Sequence, residues 1–327
     1  MHLPNQLPPE TIMKQMASGY WISQCVYVAA KLGIADLLTD TPKHCDQLAA
    51  TTNTNSDTLY RLLRALASLG VFAETESRCF QLTPLAECLR GDVPHSAKDM
   101  AIMLGEKEHY QSWGDLFYSV QTGESAFEHL HGMSFFQYIQ QNPATGEVFH
   151  RTIAERSPKK KKAIAASYDF SGIRTLIDVG GGADSLIAAI LQDNPHLKGM
   201  LFDSPQIIKK APAILANAGV SDRCQLVAGD FFASIPLGGD ACLLKQVLRN
   251  WDEERAIAIL RNCRRAMKRQ GRVLVIERLI APGNEPTFSK LLDLEMLVTN
   301  GGKERSEAEY GDLLNAAGFQ LTKIVPT

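Results

Sequence analysis

Residues Thr175 to Ser185 read TLIDVGGGADS, and Leu186 to Leu191, which follow at once, read LIAAIL. An apolar run ending in an acid, then glycines, then apolar residues at helical spacing, predicts a buried parallel strand, a tight turn and a helix. The glycines let the backbone take positive φ and approach a ligand closely, and the helix start beyond them offers free N–H groups. Such a turn suits a nucleotide-like cofactor. Glycine turns also close strands for purely structural reasons, so the residues downstream have to decide.

Downstream, strands and helices alternate. Further strands are expected at 199–202, 224–228, 241–247, 272–279 and 320–325, and helices at 185–194, 205–218, 253–268 and 306–317. That alternation predicts an α/β fold with a doubly wound parallel sheet, in which ligands bind beyond the C-terminal strand ends. The residues at those ends are polar: Asp178, Asp203, Asp230, Lys245 and Glu277. Asp203 falls roughly 20 residues after the glycines, the place from which an acid binds both ribose hydroxyls. Asp230 and Phe231 could hold an adenine by an amino-group hydrogen bond and a ring face.

Upstream, Ile12 to Leu38 carries apolar residues at helical spacing. A helix from Cys45, a second helix capped by Asn55 or Ser56, and strand-like runs at 71–74 and 79–82 then outline a winged helix. Arg61 and Arg64 on its second helix could face DNA phosphates, but two arginines on a helix are more often a solvated or interfacial face. Residues 99–157 are mostly helical and rich in aromatic residues, most of them expected to pack and a minority to line a pocket for a flat substrate. Four adjacent lysines, 159–162, read as a solvated helix end.

Composition sets the bounds. A chain of 327 residues at 45% hydrophobic can bury a sizeable core. Lys and Arg total 34 against 36 Asp and Glu, a formal charge of −2, which disfavours nucleic acid or an anionic membrane as the main partner. The seven cysteines are scattered without CxxC spacing, which argues against a zinc site or a disulfide framework and fits a reducing cytoplasm. No apolar run approaches a bilayer span, and the first residues lack the pattern of a secretory signal.

From Met16 onward the chain resembles the S-adenosylmethionine-dependent O-methyltransferases of the caffeic acid and acetylserotonin type. The matching words are DVGGG (178–182), NPHLKGMLFDSP (194–205), GDFF (229–232), LLKQVLRNWDEERAIAILRNC (243–263) and GGKERSEAEY (301–310). The resemblance implies a winged-helix-like dimerisation domain at 1–98, a helical substrate-pocket region at 99–170 and a Rossmann-like cofactor domain at 171–327. A homodimer follows, with S-adenosyl-L-methionine as cofactor, a small-molecule acceptor and no metal. Cofactor contacts implied by position are Asp178, Gly180, Gly182, Asp203, Asp230, Phe231, Lys245 and Ser157. Trp113, Phe149, His150, Met296 and Asn300 are the implied acceptor contacts.

Three features depart from the family pattern. Where the family carries a catalytic histidine in a word close to HDW, this chain reads Arg249, Asn250, Trp251. Arginine stays protonated and cannot act as a base, so Arg249 either holds a carboxylate or phenolate by paired charge-assisted hydrogen bonds or marks a loss of the reaction. Glu277 and Glu304 match the acids that orient the family's histidine, and beside Arg249 they could form ion pairs with it. Asp184 stands where a further glycine is expected, and it could bind the cofactor's ammonium, repel its carboxylate or cap the helix. The sequence also ends after the expected sixth strand, where the family continues into a seventh.

These features lead to an S-adenosylmethionine-dependent methyltransferase acting on a small aromatic or hydroxylated metabolite through Arg249, Glu277 and Glu304. Two alternatives stay open. One keeps the fold and cofactor without methyl transfer, for a rearrangement, cyclisation, decarboxylation or hydroxylation. The other is a winged-helix regulator that senses a ligand with its sheet domain.

Overall fold

The computed structural model describes residues 7–153, 158–182 and 186–327. They form two units, one of residues up to 111 with 139–152, the other of 112–138 with 153–327.

In the first unit, Leu59, Leu63 and Leu66 recur at helical spacing along helix Ser56–Ser68 and all three are buried. Asn55 starts that helix, its side chain accepting the Thr58 N–H at 3.0 Å. Arg61 and Arg64 lie on its exposed face. Strands β1 (Lys43–His44), β2 (Phe72–Glu76) and β3 (Cys79–Leu82) pair antiparallel in the order β1-β3-β2. Ile34, Leu48, Leu63, Phe72 and Phe80 close the core beneath them. This is the winged-helix outline that the sequence predicts.

The second unit is built on five parallel strands: β4 (Thr175–Val179), β5 (Lys198–Asp203), β6 (Cys224–Ala228), β7 (Gly239–Lys245) and β8 (Met267–Ile276). Their order is β6-β5-β4-β7-β8, so the chain winds outward from β4 in both directions. Both faces of β4 are covered, which is why its sequence is apolar without a break. Leu176 packs with Leu191, Leu201 and Leu215 on one face, while Ile177 and Val179 pack with Ile259, Leu260 and Leu313 on the other. The ligand crevice of such a sheet lies where the winding reverses, at the C-terminal ends of β4, β5 and β7.

Several expectations need correction. Residues 205–218 form two short helices, Pro205–Ile208 and Ala211–Asn217, because Pro212 has no N–H to continue the first and serves at the start of the second. β8 begins at Met267 and has ended before Leu279. Residues 319–327 form no strand, since only Leu321 among them packs on the core with Phe319, Ile324 is exposed, and no neighbouring ladder receives them. Helix Phe288–Asn300 lies in a stretch to which the sequence reading assigned no element.

Candidate active site

β4 delivers its chain end into a turn that only glycine suits. Gly180 and Gly182 have φ of 66° and 64°. The Gly180 N–H donates to the Phe202 carbonyl at 2.8 Å, and the Gly182 N–H to Asp203 Oδ2 at 2.9 Å. Between them, a Cβ on Gly181 would overlap Asp178 Oδ2 and stand 2.6 Å from Leu201 Cδ1. Asp178 lies beneath the turn at 1% exposure, with its carboxylate against Gly181. The Asp203 carboxylate ends β5 and also accepts the Ser204 N–H at 2.6 Å. Burial pushes its pKa above the ordinary value, and the N–H groups of Gly182 and Ser204 pull it back. Two accepted bonds leave lone pairs for further donors.

β6 leads into the loop of Asp230, Phe231 and Phe232. Asp230 is exposed and accepts the Phe232 N–H at 2.8 Å. Phe231 faces the glycine turn, with Cε1 3.6 Å from where a Gly180 Cβ would stand. Asn262, buried on helix Glu253–Ala266, donates to the carbonyls of Phe231 and Phe232 at 2.8 and 2.9 Å and so fixes the loop from behind. The Trp251 ring completes an aromatic wall, 4.8 Å from Phe232, 5.6 Å from Phe136 and 6.1 Å from Phe231. Beside it lies a cavity of about 600 Å³ lined by Met133, Gln137, Phe232, Trp251 and Arg255 among others. Lys245 is half-buried at the end of β7. Ser157 and Asp184 lie outside the described residues.

After β7 the chain passes through Gln246, whose φ of 55° is uncommon for a residue with a side chain, into a short 3₁₀ turn, Leu248–Asn250. Arg249 sits in that turn, and its Nη1 donates to Glu304 Oε1 at 2.9 Å. The Glu304 side chain is fully buried and that of Arg249 is 13% exposed. Glu277, just past β8, does not mirror this pairing. Its Oε1 accepts the backbone N–H groups of Leu248 and Arg249 at 3.0 and 3.4 Å. Burial raises its pKa to about 8, with Arg249 opposing and Glu304 adding to the rise. Burial thus favours the protonated form of Glu277, and it is Glu304 that faces the guanidinium. Burial raises the Glu304 pKa too, and Arg249 draws it back down.

Comparison with known proteins decides what this arrangement belongs to. Residues 113–320 match the O-methyltransferase domain, and residues 14–92 match the O-methyltransferase dimerisation domain. A phenazine O-methyltransferase from Lysobacter antibioticus is 46% identical over 321 residues, covering 98% of this chain and 94% of the relative. This chain belongs to the O-methyltransferase family. A phenazine-1-carboxylate N-methyltransferase from Pseudomonas aeruginosa is 33% identical, covering 95% of this chain and 92% of its own. Among solved structures, an O-methyltransferase from neocarzinostatin biosynthesis, in complex with S-adenosyl-L-homocysteine and 1,4-dihydroxy-2-naphthoic acid, aligns with a TM-score of 0.82. It is 32% identical, and the alignment covers 91% of this chain and 90% of that one.

The methyltransferase uses S-adenosyl-L-methionine, and the crevice fits that group. A side chain on Gly180 would press against Val247 Cγ2 at 3.0 Å and reach Phe231 Cε1 at 3.6 Å, so only a bare backbone leaves the crevice open at this point. Asp203 retains acceptor capacity for ribose hydroxyls, and Asp230 with Phe231 stands at the neighbouring strand end for a base. Of the expected acceptor contacts, Trp113, Met296 and Asn300 fall in the unit that carries Arg249, and Phe149 and His150 in the other. The Trp113 Nε1 donates to Glu295 Oε2 at 2.5 Å, beside Met296 on helix Phe288–Asn300. Asn300 Nδ2 donates to Asn250 Oδ1 at 3.3 Å, next to Arg249. Sequence reasoning missed Gly181 and Asn262. A third glycine in a row was a readable signal, whereas an asparagine inside a charged helix gave none.

Proposed function

We propose that this methyltransferase methylates the oxygen of a small planar aromatic acceptor that reaches the site as an anion, either a phenolate or a phenol beside a carboxylate, and that it works as a homodimer. The observation that carries the reading is Arg249, standing where the family's base is expected with its charge partly engaged. A guanidinium has five N–H donors. One meets Glu304 at 2.9 Å, and the buried Nε has no partner among the described residues. Glu277 Oε1 accepts the backbone N–H groups of Leu248 and Arg249, so this carboxyl is turned to the turn's backbone and Arg249 is left to Glu304. The remaining donors can take an anionic oxygen in a bidentate geometry.

S-adenosyl-L-methionine, when bound, supplies an electrophilic methyl group. The chain's own work is then to hold the acceptor oxygen in line and to exclude water, which lowers the barrier without a base when the oxygen arrives ionised. Arg249 favours the ionised form by pairing with it. Asp203, Asp230 and Phe231 orient the ribose and adenine portions, with Gly180, Gly182 and Lys245 along the rest of the cofactor. Trp113, Met296 and Asn300, in the unit that carries Arg249, line the acceptor side. The phenazine O-methyltransferase relative and the dihydroxynaphthoic acid in the structural neighbour support an aromatic acceptor of two or three fused rings.

The test is turnover of a panel of hydroxyphenazines and hydroxynaphthoates, with methylated products identified by mass spectrometry. Rates should follow the ionisation of each acceptor and be highest for those already anionic at neutral pH. Absence of S-adenosyl-L-homocysteine with every acceptor would instead favour a protein that binds the cofactor without methyl transfer.

A further inference from the structure

The sequence word that carries Glu304 ends in Arg305, whose side chain is wholly buried at 0% exposure. A guanidinium taken out of water must have its donors met, and apolar residues of similar volume often stabilise a core as well or better. Its presence therefore calls for a geometric reason, and its partners supply one. Nη1 donates to the carbonyls of Leu248 and Lys303 at 3.2 and 3.1 Å. Nη2 donates to the carbonyl of Trp251 at 3.1 Å and to Glu253 Oε2 at 3.2 Å, and Nε reaches the same Glu253 oxygen at 3.3 Å.

Leu248 and Trp251 bracket Arg249. The two carbonyls that Arg305 grips are thus the entry and exit of the turn from which the Arg249 side chain leaves. The same strip of chain holds the middle of that turn, since the Lys303 N–H donates to the Arg249 carbonyl at 2.8 Å. Gly302 permits this closeness, because a Cβ there would stand 2.6 Å from the Asn250 carbonyl carbon. Glu304, the ion-pair partner of Arg249, lies between the two gripping residues. One segment therefore both orients the turn and presents the carboxylate.

We propose that Arg305 is a positioning residue for the acceptor site: by tying both ends of the 248–251 turn to the segment bearing Glu304, it fixes the direction in which Arg249 meets an anionic acceptor. Arg305 touches neither acceptor nor cofactor and acts through Arg249. The inference rests on the reading that Arg249 receives the anion, and it adds the device that aims it.

Two readouts on Arg305→Lys separate the proposal from its premise. The first is amide hydrogen exchange in the peptide spanning 248–251, compared with the peptide spanning 175–182. Exchange in 248–251 should rise at least tenfold while 175–182 stays within twofold. Unchanged exchange at 248–251 would overturn the proposal whatever the acceptor. The second is a visible-absorption titration of a monohydroxyphenazine bound with S-adenosyl-L-homocysteine. The wild type should favour the phenolate about tenfold over free solution, and Arg305→Lys should lose most of that preference with S-adenosyl-L-homocysteine affinity unchanged. A preference kept in full by the variant would overturn the proposal. If the wild type shows no preference, the premise about Arg249 falls, and the exchange result still decides whether Arg305 holds the turn. Glu253→Gln, which weakens the charged partner of Arg305 from the surface side, should move both readouts the same way by a smaller factor even if Arg305→Lys folds poorly.

Discussion

Replacing Glu277 by glutamine tests whether this carboxyl is a held proton or a base. Glu277 has its pKa raised from an ordinary 4.5 to about 8, first by burial and then by Glu304, against the pull of Arg249. In the unfolded chain the same group ionises near its ordinary value. Between those two pH values the unfolded state has released the proton and the folded state keeps it, so stability falls as pH rises through that window and levels off above it. At about 1.4 kcal/mol for each unit of pH, the loss from Glu277 alone between about pH 5.5 and pH 8 is roughly 3 kcal/mol. Glutamine preserves the acceptor that receives the Leu248 and Arg249 N–H groups at 3.0 and 3.4 Å, and it cannot ionise. Denaturant unfolding across this pH range should show a shallower fall for Glu277→Gln, and the difference between the two proteins isolates the one group. Turnover at pH 7 should stay within about twofold of wild type, while the decline of the wild type above pH 8, where ionised Glu277 competes for Arg249, should be absent. A loss of turnover of about a hundredfold with cofactor binding intact would mean that Glu277 removes the acceptor's proton. Parallel stability curves would mean that it carries no proton to lose.

Arg249→His should raise turnover of weakly acidic phenols at neutral pH, because an imidazole supplies a base there, and should raise KM for acidic acceptors about tenfold through loss of a charge-assisted bond. No gain with any phenol would show that the pocket no longer serves a base at this position. Asn262→Ala leaves two backbone carbonyls of the Phe231 loop without their donor, at a cost of about 1–3 kcal/mol, so calorimetry should show weaker cofactor binding with acceptor KM unchanged. Gly181→Ala forces a methyl group against Asp178 and Leu201, and overpacking of about 1–3 kcal/mol should appear as a lower Tm together with weaker cofactor binding.

The readable parts of this fold are those where burial leaves a periodic trace. β4 was legible to the residue because both its faces are covered, and Asp203 because it ends the next strand after a turn of fixed length. The 320–325 run misled for the converse reason. Leu321, Ile324 and Val325 give it a strand-like composition, but a strand exists only with a neighbour to bond, and Ile324 stays exposed. Arg305 was illegible because an arginine in a polar word looks like surface, and only three-dimensional placement shows its guanidinium closed in by three carbonyls and a carboxylate. The unequal roles of Glu277 and Glu304 were equally hidden. Both match acids of the family pattern, and what separates them is which oxygen meets backbone N–H groups and which meets the guanidinium.

The construction of the turn also explains how the base position can change residue without rebuilding the site. Of the bonds that hold 248–251 in place, those from Arg305, Lys303 and Glu277 all go to backbone groups, namely the carbonyls of Leu248, Arg249 and Trp251 and the N–H groups of Leu248 and Arg249. None of them uses the side chain at 249. The turn is thus fixed independently of the chemistry it presents, and exchange of an imidazole for a guanidinium alters only what meets Glu304 and the acceptor. Under the proposed function, what changes in consequence is the acceptor's required state: a histidine can ionise a neutral phenol, whereas a guanidinium would select an oxygen that is already charged. Under that proposed function, acceptor acidity would be set by that one side chain, with the backbone clamp around it keeping it aimed.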